Sequence, residues 1–349
     1  MAKFQIKPAK LIVAFLIFGA FIALIESNLK AKEMGSLLFL LSFWVVPIEG
    51  CIALVAVAEL SKGSWILPVK KELLSVYPLL LFISFLFILM GPQLNIYPWA
   101  GQQGIWLNKW FFMARNFILL LLAYIVSRKF AAESNTGGKR KNFYAVLYLL
   151  IFVTSQSMAA FDWVMPLAYP WISSLFGGYF FIESVYSGMA LSGLLYFFLF
   201  RQSRKEISDE LKKGLTDIST LTFSFGFLWA GFFYAQYLTI WYGNIPEETI
   251  FIVKRVLFSP FRELSYLTLL ILFFIPFIIL LSRRAKKNPY IVFVTSSLIL
   301  AGIFLERFLF LAPDLSINIP VLILEFFLMA FLFVLVIINR DLFLPDSVK

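Results

Sequence analysis

The chain has 349 residues, of which 61% are hydrophobic, 42 are phenylalanine and only 14% are charged, more apolar surface than a water-soluble core can enclose. It has no histidine and a single cysteine, Cys51, which argues against haem b, iron–sulfur clusters and His/Cys zinc sites held by this chain alone. His-Glu-x-x-His metalloproteases, Ser/His hydrolases and His-dependent acyltransferases fall on the same ground, and the net charge of +10 is spread over short loops rather than gathered into a nucleic-acid face.

Apolar stretches of the length a helix needs to cross hydrocarbon run over 10–26, 36–58, 74–90, 110–126, 143–165, 172–200, 220–242, 262–282, 289–311 and 319–338. The expected fold is therefore an all-α polytopic membrane protein of about ten transmembrane helices. Lys3, Lys7 and Lys10 precede the first stretch as they would in a signal peptide. No small-residue cleavage pattern follows, so the segment reads as the first helix, with 26–33 an ordinary loop.

Between the spans, Lys and Arg divide unevenly. The side holding both termini carries 22 of them and the opposite side 6, with Arg115 and Arg307 inside spans. Short basic loops stay in the cytoplasm, so both termini are expected there and the helix count is expected to be even. The longest cytoplasmic connections are 128–142 and 201–218. The first contains Gly137 and Gly138 and reads as a linker; the second reads as a polar helical turn on the membrane surface at 208–213. On the outer side, 91–109 and 166–171 each contain Tyr-Pro-Trp. That echo fits either an internal repeat or the preference of aromatic residues for the interface.

Acidic residues inside the spans are the main functional signal. At about 1.5 Å per residue, Glu49 and Glu183 fall near the bilayer middle. Arg115, Asp162, Glu263, Glu306, Arg307 and Glu325 lie towards the outer side. Charged groups there must be neutral, paired or beside water. Arg115 with Asp162, and Arg307 with Glu325, are candidate ion pairs that hold helices together. Glu49 and Glu183 have no basic residue expected at their depth, so each can hold and release a proton. Tyr179, Glu183 and Tyr186, at i, i+4 and i+7, share one helix face. They form either a fragment of a proton path or a packed polar patch, with Gly188 and Gly193 permitting close approach.

Several motifs occur together: Phe161-Asp162-Trp163-Val164-Met165, continuing through Trp171 to Gly177-Gly178-Tyr179-Phe180-Phe181; Gln236-Tyr237-Leu238-Thr239-Ile240-Trp241-Tyr242-Gly243-Asn244-Ile245-Pro246-Glu247-Glu248-Thr249; Pro276 through Ser282-Arg283-Arg284 to Lys287-Asn288-Pro289; and Trp110-Phe111-Phe112-Met113-Ala114-Arg115-Asn116. In these the chain, from about 105 to 313, resembles the F subunit of bacterial alternative complex III, within the NrfD-like, polysulfide-reductase-type membrane family.

The resemblance implies two four-helix bundles, 36–165 and 172–311, flanked by 10–26 and 319–338, in the bacterial inner membrane. It implies a cofactor-free subunit of a quinol-oxidising respiratory complex, with menaquinone or another quinone at or near it. Expected partners are a homologous NrfD-like membrane subunit, iron–sulfur and multihaem cytochrome c subunits carrying the redox groups, lipids, and a terminal oxidase as a further candidate. The family usually has Pro-His-Trp where this chain has Tyr169-Pro170-Trp171, and His-Asp where it has Thr216-Asp217. Protons here would therefore move on carboxylates and hydroxyls: Glu49, Asp162, Glu183, Glu263, Glu306, Glu325, Tyr179 and Tyr186. The rival from another class is a proton-coupled secondary transporter. Its broken helices would sit in matched positions, whereas the mid-span prolines Pro47 and Pro276 show no clear pairing.

Overall fold

The computed structural model describes residues 7–29, 35–203 and 208–344. Lys3, Lys30, Lys32, Arg204, Lys205 and Lys349, which contribute to the charge asymmetry, lie outside them. Among the described residues the chain is helical, with nine helices long and apolar enough to cross a membrane, or ten if one bent pair counts as a span. It is a multi-pass membrane protein. In chain order the elements are α1 (Pro8–Asn28), α2 (Gly35–Leu60), the bent pair α3 (Ser64–Leu74 and Pro78–Ile88), α4 (Lys109–Thr136), α5 (Lys141–Ala168), α6 (Leu175–Gln202), α7 (Asp209–Gly243), the short α8 (Pro246–Val256), α9 (Phe261–Leu281), α10 (Pro289–Leu311) and α11 (Ile319–Ile338).

Three expectations are corrected. The third span is not one continuous helix over 74–90: its two segments meet at 46°. The second, of 11 residues, is about 16 Å long and cannot cross hydrocarbon alone. Pro68 and Pro78 each remove a donor, and Pro78 opens the second segment at a position where the missing N–H costs nothing; hydropathy does not register either effect. The linker expected at 128–142 is mostly helix, because α4 runs to Thr136 and ends on Gly137, whose φ of +68° is left-handed. The polar turn at 208–213 is the start of α7, a 35-residue helix capped by Ser208 Oγ, which accepts from the Leu211 N–H.

α2 is the centre of the molecule, buried along its whole membrane-crossing window. It packs against α3, α5, α6, α10 and α11, while α6 also packs against α5, α7 and α10, and α9 against α7 and α10. α1 touches α3 and α11 and is mostly exposed. The α2–α6 crossing is set by glycine. A Cβ on Gly50 would lie 1.9 Å from the Ser184 carbonyl oxygen, and one on Gly188 2.7 Å from the Gly50 oxygen, so only hydrogen fits between the backbones.

Two helices widen into π turns: α5 over Ala159–Val164 and α9 over Leu270–Phe274. In α9 the cause is local. Pro276 has no N–H to give the Leu272 carbonyl four residues back, and the Tyr186 hydroxyl of α6 donates to that oxygen at 3.1 Å instead. Between α2, α10 and α11, Phe39, Phe43, Phe304 and Phe326 pack edge to face in the offset geometry that aromatic quadrupoles favour.

Candidate functional site

The polar face of α6 points in three directions. Tyr179 donates its hydroxyl to Glu306 Oε1 on α10, Glu183 Oε2 accepts from Arg307 at 2.6 Å, and Tyr186 is committed to the α9 backbone. Adjacent residues of α10 point about 100° apart on a helix, so Glu306 also reaches the Trp229 indole N–H of α7, at 3.3 Å, while Arg307 lies over the Phe180 ring at 4.0 Å. The Glu183 and Glu306 carboxyls come within hydrogen-bonding reach of each other.

Two carboxyls thus share one arginine. Glu183 and Arg307 are fully buried and Glu306 nearly so, and fully ionised the trio would carry one negative charge in hydrocarbon, a costly state that one bound proton removes. The cluster is also underbonded: Glu183 Oε1, Arg307 Nε and a terminal Arg307 nitrogen have no protein partner. That leaves hydrogen-bonding capacity for water or a shifting proton.

A cavity of about 410 Å³ lies beside this cluster, among α6, α7, α8, α9 and α10. Phe176, Trp229, Phe233 and Phe310 form part of its apolar lining, and Tyr179 and Glu306 are its link to the buried trio. That is a pocket of the size and polarity that takes a flat apolar ring with a few polar atoms.

One rim of the cavity is built by α8, which lies between the apolar stretches 220–242 and 262–282. Arg255 donates to the Leu309 and Phe310 carbonyls at the C-terminal end of α10, each at 2.9 Å, to Phe251 O at 2.8 Å and to Asp314 at 2.9 Å. It thereby satisfies carbonyls that the helix end leaves open. Burial pushes its guanidinium down to about 10, and Asp314 opposes that shift. Trp171 stacks on Phe251 at 3.7 Å, so Trp171 of the Tyr169-Pro170-Trp171 motif anchors α8. The other Tyr-Pro-Trp has different surroundings: Tyr97 is 2% exposed and donates to the Trp163 carbonyl at 3.0 Å, whereas Tyr169 is 64% exposed. The echo in sequence is not an echo in packing.

Among the described residues Glu49, on α2, forms no ion pair. Its oxygens accept from Ser155 Oγ and Gln156 Nε2 of α5, both at 2.8 Å, and the Tyr148 hydroxyl donates to its backbone carbonyl at 3.1 Å. Gln156 Oε1 is buried without a donor, so a protonated Glu49 has an unfilled acceptor on the neighbouring amide.

Asp162 lies in the π turn of α5 and forms the expected pair with Arg115, two N–H···O bonds of 2.7 Å. Asn116 Nδ2 donates a third at 2.7 Å while its Oδ1 accepts from the Trp163 indole at 2.9 Å. Three donors, a fork-shaped pair and an amide, hold the carboxylate in its ionised form, an arrangement that fixes helices. Asp162→Asn is therefore expected to cost about 3 kcal/mol of stability, the range for breaking a buried pair. The check is thermal unfolding in detergent, and an unchanged midpoint would remove Asp162 from the structural set.

The structure contradicts two other placements. Arg307 does not pair with Glu325 but with Glu183, so Glu183 is not without a counter-ion. Glu263 is half exposed, its side chain 52% accessible, and pairs with its neighbour Arg262 at 2.7 Å; it is apart from the buried acids. Two acids escaped sequence reading. Glu26, assigned to a loop edge, is buried against Ser36 and Gln93. Glu59 at the end of α2 is held by Lys70, Lys141 and Ser134. The available signal for Glu59 was its position among loop lysines; Glu26 gave none beyond ending an apolar run.

No known family model matches the chain, and no curated protein matches it.

Proposed function

We propose that the chain is an integral, non-redox subunit of a quinol-oxidising respiratory complex of the alternative complex III type. It would sit in the bacterial inner membrane with both termini cytoplasmic, beside a homologous membrane subunit and iron–sulfur and multihaem partners that take the electrons. The observation that carries this reading is the shared-arginine cluster of Glu183, Glu306 and Arg307, joined through Tyr179 to an apolar cavity of about 410 Å³. Glu306 lies where a ring hydroxyl in the cavity would lose its proton, Arg307 balances one charge of the pair, and Tyr179 and Trp229 hold the accepting carboxylate in place. Phe161-Asp162-Trp163 and the 236–249 motif support the family assignment, and Glu49 supplies a further proton-holding group on α2.

The first test is isolation from the native membrane. Iron–sulfur and multihaem proteins should come with the chain; finding it alone, with solute uptake in liposomes, would replace this reading with the proton-coupled transporter. Within the complex, Glu306→Gln is expected to lower quinol oxidation by about 100-fold, the lower end for losing a general base, with the bound partners unchanged. Turnover equal to wild type would reduce the chain's role to structural support.

A further inference from the structure

Glu26 and Glu325 form a second acid pair, separate from the shared-arginine cluster and not dependent on the quinol reading. Glu26 lies in the last turn of α1 and Glu325 in the second turn of α11, and both are buried. Their carboxyls come within hydrogen-bonding reach of one another. The surroundings are asymmetric. Glu26 accepts from Ser36 Oγ and Gln93 Nε2, each at 2.7 Å. Ser36 and Leu37 are in the first turn of α2, where unpaired N–H groups and the helix dipole favour a negative charge.

Glu325 has nothing of the kind. Both its oxygens are buried without a donor, and the other unpartnered atom in the group is Gln93 Oε1, an acceptor. Among the described residues neither carboxyl is held in an ion pair; Lys30, Lys32 and Glu33 in the α1–α2 connection lie outside them. Two ionised carboxylates in contact inside hydrocarbon repel and lose their solvation. Two donors and the adjacent start of α2 make Glu26 the carboxylate, whereas Glu325, with no donor on either oxygen, is satisfied only as an acid whose O–H donates.

We infer that Glu26 and Glu325 are a single-proton binding site, with the proton on Glu325 and donated to the Glu26 carboxylate. It is isolated from the other pair. On α10, Phe304 and Phe308 are two residues from Glu306 and therefore on the opposite face. They pack on Phe39 of α2, and Phe326, next to Glu325, closes the same aromatic layer. Glu306 is thus on one face of α10 and this aromatic layer on the other, towards α2 and α11.

Infrared spectroscopy of the purified full-length protein tests this through the carbonyl stretch of a buried protonated carboxyl. Glu325→Gln should remove one such band, Glu325→Asp should keep it, and Glu26→Gln should keep it but shift it, since the acceptor changes from carboxylate to amide. In the wild type, dicyclohexylcarbodiimide, which modifies protonated carboxyls in apolar surroundings, should label the peptide containing Glu325. A carbonyl region identical in wild type and Glu325→Gln overturns the proposal. Should that variant not fold, absence of the carbodiimide adduct on wild-type Glu325 overturns it.

Discussion

Arg307→Ala should destabilise the protein by about 3–5 kcal/mol, the range for removing one partner of a buried ion pair, and should do so more than removing both partners. Arg307 is the cation for two acids, and it and Glu183 have no solvent exposure. Truncating it leaves Glu183 and Glu306 in contact with no positive charge, so both must be neutral for the helices to stay packed. Arg307→Met combined with Glu183→Gln removes the pair while roughly preserving volume. It leaves Glu306 with its Tyr179 and Trp229 donors, and is expected to recover most of the loss, as buried ion pairs replaced by apolar or neutral groups commonly do. Thermal unfolding of the purified variants measures both. If the double variant is no more stable than Arg307→Ala, the two side chains are not coupled and the cluster is not a charge-sharing unit. The Phe180 ring under Arg307 makes a control: Phe180→Leu should weaken the site by a smaller amount, about 1 kcal/mol for a lost cation–π contact.

How far the sequence reached depends on which coordinate a feature needs. Hydropathy reads position along the membrane normal, and most of the spans and the burial of Glu49, Asp162, Glu183, Glu306 and Glu325 follow from it. Azimuth, the direction in which a side chain leaves its helix, needs to know which helices are neighbours. Arg115 and Asp162 are paired correctly because α4 and α5 are consecutive and packed together. Arg307 and Glu325 are likewise on consecutive helices, yet α10 turns its Glu306–Arg307 edge to α6, and the partner is Glu183, 124 residues away in sequence. The same limit hid the Glu26–Glu325 contact, since α1 and α11 are at opposite ends of the chain. The bend in α3 escaped for a different reason: proline removes hydrogen bonds without changing apolarity, so a window of hydrophobic residues looks continuous across it.

The α2–α6 contact makes the second large prediction. Gly50→Ala is expected to abolish recovery of folded protein, because the new methyl would sit 1.9 Å from the Ser184 carbonyl oxygen, and a backbone atom cannot rotate away. Separating the helices enough to admit it would also break the 2.6 Å bond from Ser184 Oγ to the Val46 carbonyl. Other close glycines grade the effect. At Gly193 the nearest atom is Ser296 Oγ, at 2.3 Å, which can change rotamer, so Gly193→Ala should be milder; at Gly231 nothing lies within 4 Å, so Gly231→Ala should behave as wild type. The measurement is the yield of monodisperse protein in detergent and its near-ultraviolet circular dichroism, and equal behaviour of Gly50→Ala and Gly231→Ala would refute the packing argument. The consequence reaches function through the chain itself. Glu49 precedes Gly50, and its oxygens meet Ser155 and Gln156 only while α2 lies at this depth against its neighbours. A crossing that tolerates no methyl group is what holds an uncompensated carboxyl, in a helix buried along its length, within 2.8 Å of both its donors.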